Sequence, residues 1–120
     1  MSIKLKEAHA AILTSGYNEG RRTSKIIEYI SPNKKRVLYL RTNQGFPVHA
    51  DVMLHPDTDT ARLIVPEQIQ VNTRTPLRFS DHETAFPKRT SPKGNVRPCG
   101  KALYVYTLDA MQSLCSGYDK

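Results

Sequence analysis

Apolar residues near the start of the chain, Leu5, Ala8 and Ile12, recur at helical spacing and lay one stripe along a short amphipathic helix. Ser2 offers an N-cap, and Thr14-Ser15-Gly16 supplies a glycine for the left-handed position at the far end. Past a turn at Asn18-Glu19-Gly20 the period drops to two. Ser24, Ile26, Glu28 and Ile30 fall on one face of a strand, with Lys25, Ile27 and Tyr29 on the other. Ser31-Pro32-Asn33-Lys34 reads as the next turn. A second strand, Arg36 to Thr42, sets Val37 and Tyr39 against Leu38 and Leu40, apolar on both faces, and ends at the breaker Asn43-Gln44-Gly45. The third, Val48 to His55, puts Val48, Ala50, Val52 and Leu54 toward a core and His49, Asp51, Met53 and His55 on the opposite side. These three strands read as an antiparallel meander.

The pattern weakens from Pro56 onward. Asp57-Thr58-Asp59-Thr60 is a polar turn, Ala61 to Val65 a short apolar run, and Pro66 breaks it. Gln68 to Asn72 and Leu77 to Phe79 suit edge strands, because six of the eight prolines lie between residues 56 and 98 and proline is poorly tolerated in central strands. Residues 80 to 100 read as a long surface loop, a kind of segment that tends to carry function. Ala102 to Tyr106 is again a strand. Thr107 caps a final helix in which Leu108, Met111 and Leu114 or Cys115 repeat at helical spacing, Asp109 complements the N-terminal dipole, and Gly117 marks the stop. The expected architecture is a single α+β domain spanning residues 1–120. It has an antiparallel sheet of about four to six strands, the N- and C-terminal helices on one face, and a basic loop at residues 84–101.

At 120 residues, 38% of them hydrophobic, the chain suits one domain that buries its own core. Two cysteines, Cys99 and Cys115, are too few for a disulfide scaffold, and with neither a signal-like nor a membrane-spanning apolar run the expected compartment is the cytoplasm.

Charge sharpens the picture. The formal net charge is +7 and the sequence pI about 9.6, which favours acidic partners. Arg21, Arg22, Lys25, Lys34, Lys35, Arg36 and Arg41 cluster between Asn18 and Phe46. Lys88, Arg89, Lys93, Arg97 and Lys101 occupy a stretch from Thr84 that contains no acid. The leading expectation is a small basic protein, without enzymatic activity, that binds nucleic acid through phosphates. Arg21, Arg22, Lys35, Arg36, Lys88, Arg89, Lys93 and Arg97 are its contacts, and Tyr29, Tyr39 or Phe86 are available to stack on bases. Such contacts position without specifying sequence, and no aromatic ribonucleoprotein motif, zinc-finger spacing or helix-turn-helix is present. The alternative is a protein-interaction or inhibitor module that docks on an acidic protein partner. An exposed apolar patch at Met53, Phe79 or Phe86 would favour it.

Catalytic readings find less support. His49 and Asp51 share one face of the third strand and His55 follows, with His82 or Glu83 as imaginable further ligands for a metal-dependent hydrolase. At roughly 3.3 Å per residue, however, His55 sits about 13 Å beyond Asp51, so no metal site is expected. The His55-Pro56-Asp57-Thr58-Asp59 strand end lacks the Glu-x-Lys or Asp-x-Lys partner of carboxylate nucleases on the next apolar run. Cys99 lies in a basic stretch that would lower a thiol pKa, with no histidine implied by spacing, and Cys115 reads as helix packing. Gly-x-Ser-x-Gly, phosphate-loop and dinucleotide motifs are absent, and no cofactor is expected.

A helix ending in Gly16-Tyr17, the strand Arg36-Val37-Leu38-Tyr39-Leu40, the ending Asp51-Val52-Met53-Leu54-His55-Pro56, and Gly100-Lys101-Ala102 leading through Leu108 and Ala110 to Leu114 resemble the small YgaC-like bacterial proteins. The resemblance implies a compact cytoplasmic α+β domain from a bacterium or its mobile elements and brings no activity with it. It singles out His55, whose expected role is a structural hydrogen bond to the proline turn.

Overall fold

The computed structural model describes residues 4–42, 50–65, 67–71, 77–79 and 83–119. Helix α1 (Leu5–Thr14) and helix α2 (Leu108–Asp119) flank an antiparallel sheet of eight strands. The strands are β1 (Asn18–Arg22), β2 (Ile26–Ile30), β3 (Val37–Arg41), β4 (Ala50–Leu54), β5 (Ile69–Val71), β6 (Leu77–Phe79), β7 (Lys88–Thr90) and β8 (Val96–Val105). The α+β class and the two terminal helices are as the sequence pattern indicates. The sheet gains strands where the pattern is silent.

β1 falls where a turn was expected. All five of its residues are exposed, so no apolar alternation marks it, and its pairing with β2 rests on the backbone ladder. The expected basic loop at residues 84–101 is likewise corrected to a hairpin: Lys88 pairs with Pro98, Arg89 with Arg97 and Thr90 with Val96, and Gly94 adopts a φ of +87° in the turn. Lys88, Arg89 and Thr90 are all exposed, so their periodicity carries no core signal. β8 organises this half of the sheet, pairing along its length with β4, β5, β6 and β7.

Strand parity gives the sheet two covered faces. Ile27 and Tyr29 on β2, Leu38 and Leu40 on β3, Ala50, Val52 and Leu54 on β4, and Leu103 and Val105 on β8 form the main core with Ala8, Ala11 and Ile12 of α1 and Ala110, Met111 and Leu114 of α2. α1 begins one turn in from the chain start, with Lys4 as N-cap and Glu7 accepting the Lys4 backbone N–H at 3.2 Å. The expected cap Ser2 lies outside the described residues. Thr107 caps α2 as expected, its hydroxyl accepting the Ala110 N–H at 3.1 Å. The helix continues through Gly117 to Asp119. Leu63 packs so close that a Cβ at position 117 would lie 2.7 Å from its Cδ2, which explains the glycine by packing rather than by termination.

The opposite face corrects the reading of β4. Met53 and Asp51 are buried there, Met53 in a second cluster with Ile26, Tyr39, Phe86 and Ala102. Phe86 lies edge-on to Tyr39 at 5.0 Å, over Gly100, where a Cβ would meet its ring at 2.7 Å. On the same face Arg78 Nη1 approaches Asp51 Oδ2 at 3.0 Å, an ion pair without hydrogen-bond geometry, and Arg41 approaches at 3.7 Å. Burial pushes the Asp51 carboxyl up to about 6, with Arg41 pulling it back. His49 and Gln44 lie outside the described residues, as do Pro66 and Asn72.

One side chain of α2 reaches into the sheet. β3 and β4 pair Tyr39 with Met53 and Leu40 with Val52, a register that, carried on, sets Val37 against His55. There the Tyr118 hydroxyl stands between the strands, accepting the His55 N–H at 2.9 Å and donating to the Val37 carbonyl at 2.7 Å. Asn33 ties the adjoining β2–β3 turn to the same helix end, donating its backbone N–H to Asp119 Oδ1 at 3.1 Å and its side-chain amide to the Asp119 carbonyl.

Tyr118→Phe leaves the His55 N–H and the Val37 carbonyl without that hydroxyl, and we expect about 1–3 kcal/mol of lost stability by urea denaturation. An unchanged unfolding midpoint and slope would mean that water replaces it. Because the folded pKa of Asp51 lies above its ordinary value of 3.8, the folded state holds the proton more tightly. Its contribution to stability is therefore full below about pH 4 and declines as pH rises to about 6. The stability of wild type relative to Asp51→Asn, followed across that window, is expected to fall with pH; a flat difference would contradict the assignment.

Candidate functional site

The pairing registers sort the cationic residues by position. The β2–β3 turn carries Lys35 and Arg36 at the same end of the sheet as the end of β4. Because Lys101 pairs with Leu54, the earlier residues of β8 run out past that end, and β7 returns beside them. Lys88, Arg89, Lys93 and Arg97 therefore lie on a hairpin that projects from the end where Lys35 and Arg36 sit. Arg21 and Arg22 do not join them. Asn18 pairs with Ile30 near the turn, whereas Arg22 pairs with Ile27 further down the strand and is held by Glu19 at 2.7 Å.

Depressions at the basic end include a small one of about 80 Å³, lined by Lys35, Arg36, Phe86 and Tyr118 among others, and two larger ones. Of these two, the first, about 230 Å³, is lined by Arg36, His55, Asp57, Thr58, Arg62 and Tyr118 among others. Arg89 closes on it, its Nη2 donating to Asp57 Oδ1 at 2.8 Å. The reactive groups here are engaged in holding the corner together. His55 Nδ1 accepts the Asp57 backbone N–H at 3.1 Å, which is the structural hydrogen bond expected of it and places the proton of a neutral ring on Nε2. Asp59 caps the 3₁₀ turn Thr60–Arg62 by accepting the Ala61 N–H, and Arg62 donates to the Gly117 carbonyl at 2.8 Å. Burial raises the Tyr118 hydroxyl to about 12, so it stays a neutral donor and acceptor.

The second depression is an open groove of about 510 Å³ between β6 and the β7–β8 turn. Leu77 and Phe79, two residues apart and so on one face of β6, contribute apolar surface. Lys93 and Arg97 supply charge, and Ser91 and Asn95 supply polar edges. Arg78, whose backbone borders the same groove, directs its guanidinium to the other face and Asp51. No local pattern in the sequence joins Phe79 to Lys93 and Arg97. The link comes from β6 and β7 both pairing with β8.

Several expected roles change. Tyr29 and Tyr39 are 0% exposed and Phe86 is 4% exposed, so none presents a ring to a ligand. Tyr29 lies under α1 with its hydroxyl 2.6 Å from His9 Nδ1; Tyr39 donates to Glu28 Oε2 and accepts from the Ala85 N–H. The metal reading separates into pieces: Asp51 is enclosed by Arg41 and Arg78, His55 serves the turn, and His49 and His82 lie outside the described residues. Among the described residues no group of three or more His, Cys, Asp or Glu is placed to hold a metal ion. Cys99 and Cys115 are free and buried, and burial raises both thiols, Cys115 to about 12. For Cys99 this reverses the expected lowering, because desolvation outweighs the attraction of Arg89. No helix among the described residues is long and apolar enough to cross a membrane.

Both thiols are expected to resist a thiol-specific chromogenic reagent in the native protein at neutral pH and to titrate fully in denaturant. Rapid labelling of Cys99 before unfolding would restore it as a nucleophile. No family model, curated protein or solved structure matches this chain.

Proposed function

We propose that the protein binds nucleic acid through phosphate contacts at the basic end of its sheet. The observation that carries this reading is the register of β8, which brings the β7–β8 hairpin, with Lys88, Arg89, Lys93 and Arg97, to the end where the β2–β3 turn presents Lys35 and Arg36. All six residues are exposed. The acids that meet them at this end include Asp57, engaged by Arg89, Asp59, engaged as a helix cap, and Asp119, which accepts the Asn33 N–H of the β2–β3 turn. A cluster of this kind attracts a phosphate backbone and orders it without reading bases. Arg21 and Arg22 stand apart from this surface and serve as its internal comparison.

A protein partner with an acidic surface is the second reading. Val96, 62% exposed, and Leu77, 41% exposed, sit beside the same cations. An apolar centre rimmed by charge is a common form of protein interface. Of the apolar residues expected to mark such a surface, Met53 and Phe86 are buried and Phe79 is half-buried. The smaller exposed area favours the phosphate reading.

Fluorescence anisotropy with short single- and double-stranded DNA and RNA, across a salt series and with heparin as competitor, tests the proposal. Binding is expected to weaken linearly in log–log form as salt rises. The slope on duplex DNA should fall by about 0.9 for each contact removed in Lys88→Ala with Arg89→Ala, and change little in Arg21→Ala with Arg22→Ala. Absence of binding at low salt would make the charge a surface property and direct the search to an acidic protein.

A further inference from the structure

We infer that the groove between β6 and the β7–β8 turn is a seat for an unpaired nucleobase, so that the protein prefers single strands to duplex. The inference rests on the phosphate reading and narrows its ligand. Its basis is a combination of apolar surface, a half-buried aromatic ring and bordering cations; the small depression beside Lys35 and Arg36 also has rings, Phe86 and Tyr118, but both are buried. Leu77 and Phe79 share a face of β6; Lys93 and Arg97 stand beside them from the hairpin. The volume, about 510 Å³, lies within the range of clefts that take small organic ligands.

Each component favours a base attached to a phosphate backbone over other occupants. Leu77 is 41% exposed and Phe79 is half-buried, so flat apolar area faces solvent and gains from being covered by another flat group. Tyr29, Tyr39 and Phe86, the rings expected from the sequence to stack on bases, are enclosed in the two cores. Phe79, unlike these, is half-buried beside exposed cations. Arg97 lies on the route from the groove toward Arg89, because the two pair directly across the hairpin. A strand whose base enters the groove thus continues along a row of cations. Ser91 and Asn95 offer hydrogen-bond partners at the groove edge without the fixed pattern that would select one base. A duplex keeps its bases stacked on one another and offers the groove only its backbone, whereas a single strand turns a base out at little cost.

The test compares a fluorescein-labelled single-stranded oligothymidine with a hairpin duplex of similar length, using wild type, Phe79→Ala, Phe79→Leu and the pair Lys93→Ala with Arg97→Ala. Thermal melts establish that each variant folds. Wild type is expected to bind the single strand more tightly. Phe79→Ala should weaken that binding by roughly tenfold while leaving its salt slope and the duplex affinity unchanged. Phe79→Leu should not restore it. Lys93→Ala with Arg97→Ala should lower the salt slope on both forms. A second measurement on the unmodified chain is photo-crosslinking to a strand containing 5-iodouracil, with crosslinks expected on the peptide that carries Phe79.

Full affinity in Phe79→Ala or in Phe79→Leu, or crosslinks confined to other peptides, would overturn the base seat. In that case a reduced slope in the charge variants would leave the phosphate reading standing. Binding of neither nucleic-acid form at low salt would overturn both and leave the groove to a protein ligand.

Discussion

The geometry of this molecule depends on the pairing of β8. Ten residues of continuous strand take β4, β5, β6 and β7 as neighbours, and each of these contributes something the others cannot. β4 anchors β8 to the central sheet and its helix-covered core. β5 completes an edge, β6 delivers Leu77, Arg78 and Phe79, and β7 returns the hairpin cations. Backbone hydrogen bonds made obligatory by burial set these positions, so the placement of the charged side chains follows from main-chain pairing rather than from mutual attraction between the charges.

Two covers of different kind then fix the sheet. On one side the helices bury a broad apolar surface, with the Tyr17 hydroxyl donating to the Cys115 carbonyl at 2.7 Å to hold the chain after α1 against α2. On the other, Phe86 covers a smaller apolar patch, and the same face carries the Asp51 carboxylate with two guanidinium groups. That second face is polar enough to need matching partners, and Asp51 Oδ1 has no hydrogen-bond partner among the described residues. The same face therefore combines tight packing with an electrostatic cost that the helix side does not carry.

What the sequence made legible follows from what burial writes into it. The alternation in Ile26 to Ile30 and in Ala50 to Leu54 reports a helix-covered face, and the spacing of Leu108, Met111 and Leu114 reports a helix; all three elements stand in the structure close to where the pattern puts them. Lys88 to Thr90 and Asn18 to Arg22 left no such record, because exposed edge strands are held by backbone bonds that any side chain permits. Met53 misled for a related reason, since a sheet covered on both sides buries residues that strict alternation assigns to solvent, and Phe86, expected in a surface loop, is part of that second cover. The meeting of Phe79 with Lys93 and Arg97 was illegible because it depends on which edge of β8 each strand chooses, a long-range choice that local periodicity does not encode.

The outer strand β1 has a consequence of its own. An unpaired sheet edge is ordinarily an invitation for a neighbouring molecule to add a strand, and this one carries Glu19, Arg21 and Arg22 around Gly20, all five residues exposed, with the ladder to β2 slipping between Glu19 and Arg22. Charge and an irregular ladder make that border a poor template for strand addition. A concentrated solution of this protein is thereby guarded against edge-to-edge aggregation on its β1 side.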